Sequence, residues 1–164
     1  MDDRRGEDLG VLLVSASARL SRLYGRVLGQ LDISLTYRQH RLLRRVSEGH
    51  TSMAELAALG NLTVPTVSES VEGLVRRGLL NRQVNPQNRR QMVLSVTAEG
   101  RKAKEAGDVA LLAANDRLLR VVPDEHRQVL QESLASLYDA ATEAFRQPDA
   151  TAPAAAGAAR LTET

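Results

Sequence analysis

The sequence contains no cysteine and no tryptophan, and its aromatic residues are three tyrosines and one phenylalanine. Without cysteine there can be no disulfide, no thiolate zinc site, no cysteine nucleophile and no thiol redox sensor. Aromatic residues make up 2% of a chain that is 43% hydrophobic, so a core has to be built mostly from Leu, Val and Ala. Long apolar runs are missing as well. The charged stretch Met1 to Gly10 has no apolar segment behind it long enough for export or bilayer insertion, so the expectation is a soluble cytoplasmic protein with no membrane partner. A Gly-rich phosphate loop, His-Glu-x-x-His and Gly-x-Ser-x-Gly are all absent, and His40, His50 and His126 lack ligand-like spacing. The expectation is therefore no enzyme, no catalytic residue, no metal and no cofactor. A surface or lightly buried role is the default for each histidine.

Charge is present but unevenly spread. The net charge is +2, yet Thr36 to Lys104 carries 12 Lys/Arg against 5 Asp/Glu, a local +7, and the remainder 10 against 15. A basic middle between acidic ends suits a chain that lays one face on phosphate.

Apolar residues at steps of three and four from Leu9 to Leu31 predict one long amphipathic helix over about 7–31. A second helix opens at Thr36 as N-cap and stops near Gly49. A short third begins at Ser52, which has capping-box spacing to Glu55. Gly60-Asn61 breaks it, and a fourth helix runs from Val64 to Arg77, with Thr63 as N-cap, Pro65 in its first turn and Gly78 beyond its end. Two strand-like runs, Leu79–Val84 and Gln91–Val96, flank the turn Asn85-Pro86-Gln87-Asn88 and predict a hairpin. A fifth helix follows Thr97, and a sixth starts at Pro123-Asp124-Glu125. From Gln147 to Thr164 the chain is rich in Pro, Ala and Thr with no apolar stripe, and reads as a disordered tail.

A short helix, a tight turn, a second helix and an Arg-tipped hairpin outline a winged helix-turn-helix. In the fourth helix Val67, Val71, Leu74 and Val75 form the buried side. Pro65, Thr66, Glu69, Ser70 and Gly73 lie opposite, with Ser68 on the flank. Small polar residues there let a helix sit deep in a major groove, with its N-terminal amides facing phosphate. Arg89 and Arg90 at the hairpin tip suit the minor groove.

The runs Ser34-Leu35-Thr36-Tyr37-Arg38-Gln39, Met53-Ala54-Glu55-Leu56-Ala57, Thr66-Val67-Ser68 and Arg76-Arg77-Gly78-Leu79-Leu80 resemble the MarR family of bacterial regulators. So does the stretch from Asn85-Pro86-Gln87-Asn88-Arg89-Arg90 through Leu94-Ser95-Val96-Thr97 to Gly100. The resemblance covers about residues 8 to 146. It implies a mainly α fold, with a winged lobe at 33–100 and dimerisation helices at 7–31 and 98–146, within a domain spanning 7–146. It also implies an obligate homodimer on a pseudo-palindromic DNA site, acting as a repressor released by a small aromatic or acidic effector. The DNA contacts it points to are Thr36, Arg38, Thr63, Pro65, Thr66, Ser68, Glu69, Ser70, Asn88, Arg89 and Arg90. Its ligand-pocket candidates are Ser17, Tyr37, His40 and Arg41. Two departures stand out. Similar proteins usually carry aspartate where this chain has Asn85 and Asn88, which replaces a charge-assisted brace for Arg90 with a neutral one. Glu69, Glu72 and Gly73 also stand where basic or bulkier residues are commoner. Two other readings remain: a winged-helix protein–protein adaptor, and a DNA-binding architectural factor that answers to no ligand.

Overall fold

Asp8 starts the first helix by accepting backbone N–H bonds from Gly10 at 2.8 Å and Val11 at 3.3 Å, which satisfies two of the donors a helix N-terminus leaves unpaired. The computed structural model describes residues 8–85 and 88–146. The side chains of 85, 88–91 and 146 are outside the description. Helix α1 spans Leu9–Gly29, α2 Tyr37–Ser47, α3 Met53–Gly60 and α4 Val64–Arg76. Strands β1 (Leu80–Asn85) and β2 (Asn88–Val96) follow, then α5 (Ala98–Leu119) and α6 (Asp124–Arg146). The turn residues 86 and 87 and the expected tail, 147–164, lie outside the described residues.

Side chains set the helix starts. Thr36 caps α2 with a complete capping box: its hydroxyl accepts from Gln39 N at 3.1 Å, and Gln39 Oε1 accepts from Thr36 N at 3.0 Å. At α3 the expected box is only half formed. Ser52 accepts from Glu55 N at 3.2 Å, but the Glu55 carboxylate accepts from His50 Nδ1 at 2.7 Å.

Helices α2, α3 and α4 all end the same way, with a left-handed residue and crossed 5→2 and 6→1 bonds. At the end of α4, Gly78 (φ 68°) donates to Val75 O and Leu79 to Leu74 O, both at 2.9 Å. At the end of α3 that role falls to Asn61 (φ 49°), one of the few side chains tolerated there. Three tight stops within 30 residues fold α2, α3 and α4 back onto one another.

They close on a core of Leu28, Leu35, Leu42, Leu43, Val46, Leu56, Ala57, Val67, Val71, Leu74, Leu79, Leu80, Leu94, Ala103 and Leu111. It contains only Leu, Val and Ala, as the scarcity of aromatics requires. Each fully buried Leu or Val contributes about 1.5–3 kcal/mol relative to its exposed state.

The hairpin is antiparallel, pairing Leu80 with Val96, Arg82 with Leu94 and Val84 with Met92, and is irregular at Val84/Asn85. Leu80 and Leu94 turn one face into the core. Leu94 N also donates to Thr51 O at 3.2 Å, which binds the hairpin to the α2–α3 connection. Thr97 fastens its base: the hydroxyl donates to Gly78 O at 2.7 Å while accepting from Gly100 N at 3.0 Å. The result is a mostly helical chain with a winged helix-turn-helix. Residues 8–120 form one compact unit and α6 belongs to a second.

Candidate nucleic-acid interface

The side of α4 opposite Val67, Val71 and Leu74 carries Pro65, Glu69 and Glu72, all exposed, with Val64 exposed in the first turn. The axis is held from both ends. Thr63 caps it, accepting from Thr66 N at 3.4 Å and sharing a 2.8 Å hydroxyl–hydroxyl bond with Thr66. At the other end Arg77 donates to Ser34 O at 2.6 Å and to Gln39 Oε1 at 3.4 Å, so the end of α4 is tied to the start of α2. The first-turn amides of α4 thus face out from a fixed frame.

The expected hydroxyl contacts are already engaged within the helix. Ser70 is half-buried and donates to Thr66 O at 3.1 Å, Ser68 donates to Glu72 Oε1 at 3.2 Å, and Thr66 is paired with Thr63. Ser70 therefore stands on a flank of α4, bonded back to the previous turn, and Glu72 occupies the open face instead. On α2, the Thr36 hydroxyl is engaged as a cap and Arg38 is exposed on the first turn. The side chains of Asn88, Arg89 and Arg90 lie outside the described residues.

A second cluster joins α1, α2 and α5. The Tyr24 and Tyr37 rings lie 5.3 Å apart, tilted by 56°, and the Arg41 guanidinium sits 5.9 Å from the centre of the Tyr37 ring. Tyr24 donates a hydrogen bond to Asn115 Oδ1. Burial, helped by Tyr37, pushes the Tyr24 hydroxyl above its ordinary value. Beside it His40 is 3% exposed, and its Nε2 lies 2.9 Å from Asp108 Oδ1, while Lys104 bonds Asp108 Oδ2 at 2.7 Å. Burial alone would raise the Asp108 carboxyl, but Lys104 and His40 together hold it below the ordinary value.

The surface or lightly buried role expected of His40 is thus corrected to full burial, which Asp108 of α5, itself held by Lys104, makes tolerable. His50 and Glu55 pair at the surface of α3. Ser17 is not brought to this cluster by any bond. It is exposed and donates to Val14 O at 2.9 Å on its own helix, about 10 Å along α1 from Tyr24.

The sequence model of the MarR family matches residues 33–91, from the start of α2 into the hairpin. In that segment the chain is similar to the MarR family. A relative, the uncharacterized HTH-type transcriptional regulator YdcH of Bacillus subtilis, is 33% identical over 96 residues; the alignment covers 56% of this chain and 64% of that relative's own length. A probable transcriptional regulator from Pseudomonas aeruginosa has a similar structure, with a TM-score of 0.70 and 28% identity, covering 82% of this chain and 99% of that one. CouR from Rhodococcus jostii RHA1, solved with p-coumaroyl-CoA, is similar in fold, with a TM-score of 0.69 and 23% identity over 83% of this chain and 95% of that one. A transcriptional repressor of the same name, solved on a 23-mer DNA duplex, has a TM-score of 0.72 at 24% identity over 83% and 96%.

Several positions escaped the sequence reading. Tyr24, Asp108 and Asn115 come from helices whose turn-by-turn facing depends on packing. Arg77 looked like one of a basic pair but acts as a brace. The exposure of Val64 could have been anticipated, since it sits at the first helical position, before the buried stripe begins at Val67.

Proposed function

We propose that this chain is a homodimeric, sequence-specific DNA-binding repressor of transcription, acting in the cytoplasm and released from DNA by a small aromatic or acidic effector. The observation that carries the reading is α4: a capped helix, braced at both ends, with an open face of short or slender side chains and an adjoining hairpin. Residues 33–100 form the DNA-binding lobe in this reading. Thr63, Pro65, Thr66, Ser68, Glu69 and Ser70 lie toward the major groove, Arg89 and Arg90 beside Asn88 toward the minor groove, and Thr36 and Arg38 along the backbone.

Dimerisation through 7–31 and 98–146 draws support from apolar side chains left in the open. Leu9, Val11 and Val14 on α1 and Val109 and Leu112 on α5 are each more than half exposed, as are Val129, Tyr138 and Phe145 on α6. A two-fold pairing of such helices would bury about 2,000 Å² or more and set two copies of α4 about 34 Å apart, the spacing of a pseudo-palindrome. For the effector, Tyr37, Arg41 and His40 beside Tyr24 supply an aromatic face and a cation. Ser17 would join only through a partner or ligand. The neighbouring CouR structures, with a CoA thioester and with DNA, support looking for both kinds of partner.

Binding of the full chain to duplexes from upstream of its own gene, at about 50 to 200 mM salt, tests the reading. A DNA regulator loses affinity by orders of magnitude across that range. A chain that binds no duplex even at the lowest salt is a winged-helix adaptor, a role to which Glu69 and Glu72 would also lend themselves. Salt-dependent binding that no aromatic acid or thioester reverses marks an architectural factor.

A further inference from the structure

The open face of α4 has an unusual chemical bias. Between Val64 and Val75 there is no Lys, Arg, Asn or Gln, the residues whose side chains donate hydrogen bonds to base edges most readily. Past the first turn the hydroxyls that could donate are committed elsewhere, Ser68 to Glu72 Oε1 at 3.2 Å and Ser70 to Thr66 O at 3.1 Å, while Thr66 and Thr63 share one 2.8 Å hydroxyl–hydroxyl bond in which either can donate. What remains facing outward is the Glu69 carboxylate, the free lone pairs of Ser68 Oγ, and the apolar surfaces of Val64, 47% exposed, and Pro65. Ser68 lies one turn beyond Val64, and Glu72 one turn beyond Ser68, so the three form a row along one edge of the open face.

In the major groove, guanine shows only acceptors, adenine and cytosine each show an exocyclic amino group, and thymine shows a methyl. A helix surface of acceptors and aliphatic groups matches the amino groups and the methyl, and beyond the Thr63–Thr66 pair has no side-chain donor to give guanine O6 or N7. Resting on the DNA-binding reading above, we propose that α4 reads its site as an acceptor: Glu69 and Ser68 take amino hydrogens of cytosine or adenine, and Val64 packs on a thymine methyl. In this scheme Glu72 is a positioning residue. It touches no base and holds the Ser68 proton, so that Ser68 can only accept. Phosphate affinity must then come from outside the face, since Glu69 and Glu72 repel phosphate.

The test is selection of duplexes from a random pool by the full chain, followed by titration on the selected site. The wild type should choose adenine or cytosine at the positions under Ser68 and Glu69, and a thymine beside them. Glu69→Ala should lower discrimination at one base pair about five- to tenfold, while Glu69→Gln, which can also donate, should admit guanine there. Glu72→Ala should admit guanine at a second position by freeing the Ser68 proton, and adding Ser68→Ala should abolish that change. Deoxyuridine in place of the thymine should weaken the wild type roughly fourfold, the effect of one lost methyl contact, and leave Val64→Ala within twofold. If the wild type selects no duplex, the DNA-binding reading falls and this inference with it. If it selects duplexes but Glu72→Ala and Glu69→Gln leave the chosen bases unchanged, acceptor reading is wrong and DNA binding stands.

Discussion

His40 and Asp108, 68 residues apart in sequence, meet at 2.9 Å between α2 and α5. Gly107 makes room for the contact: a Cβ there would fall 2.5 Å from His40 Cδ2 and 3.0 Å from Leu28 Cδ2. The imidazole therefore sits on bare backbone of α5, and α2, inside the winged lobe, is fixed in register against the helix that leaves it. Gly107→Ala should destabilise the chain by about 1–3 kcal/mol through overpacking. His40→Ala removes most of the obstruction, so the cost of Gly107→Ala should fall in that background by about 1 kcal/mol. Urea melts of the four chains give the coupling. Costs that simply add would mean that the ring does not rest on Gly107.

The same contact gives an acid limit to stability. Asp108 loses its proton more readily in the folded chain than its ordinary value of 3.8, because Lys104 and His40 outweigh the effect of burial. Its contribution is fully present above that value and is lost as pH falls through the lower folded value. The effect should be modest, since the Asp108 side chain is 41% exposed and solvent screens it. Asp108→Asn should make the melting temperature less sensitive to pH below about 4. An unchanged acid slope would show that the carboxylate is not coupled to folding.

Gly100 is the tighter of the two glycines of α5. A Cβ there would lie 2.0 Å from the Leu79 carbonyl oxygen and 2.9 Å from Val96 Cγ1. The first obstacle is backbone, held by the Thr97 N–H bond to Leu79 O at 3.2 Å, so it cannot swing aside. Gly100→Ala should therefore destabilise by about 3 kcal/mol or more, at the upper end of overpacking effects. Thermal unfolding followed by circular dichroism measures it. A loss below about 1 kcal/mol would mean that the hairpin base yields easily.

Much of this architecture was legible because it depends on local chemistry. Thr36, Ser52, Thr63 and Thr97 each cap the helix predicted to follow, and Gly78 stops α4 as a left-handed residue must. The alternation of Met92, Leu94 and Val96 with Val93 and Ser95 placed β2, although the hairpin strands extend further toward the turn than expected. The polar geometry was less legible. Nothing in the order of residues says that Glu55 turns to His50 and away from Ser52, or that Ser68 gives its proton to Glu72. Those choices lie in side-chain rotamers, which the order of residues does not fix. The burial of His40 is a more distant case, since its partner Asp108 stands 68 positions further along, itself held by Lys104.

Arg77 and Arg90 look alike in sequence, both belonging to Arg-Arg pairs beside α4 or in the hairpin, yet they should fail differently. Arg77 gives its guanidinium hydrogens to Ser34 O and Gln39 Oε1, tying α4 to α2. Arg77→Ala should cost about 1–2 kcal/mol of stability and should weaken DNA binding only in so far as α4 loosens, leaving the number of phosphate contacts unchanged. Its salt slope should then match that of the wild type. Arg90, at the hairpin tip, is proposed to meet DNA directly. Arg90→Ala should leave the urea midpoint within experimental error, weaken specific and scrambled duplexes alike, and lower the salt slope by about one unit per subunit. Measuring stability and salt slope on both variants separates the roles. If Arg90→Ala left affinity and slope intact, the hairpin would not be a DNA-binding element. If Arg77→Ala changed the slope and not the stability, its bonds to Ser34 and Gln39 would be giving way to a phosphate when DNA arrives.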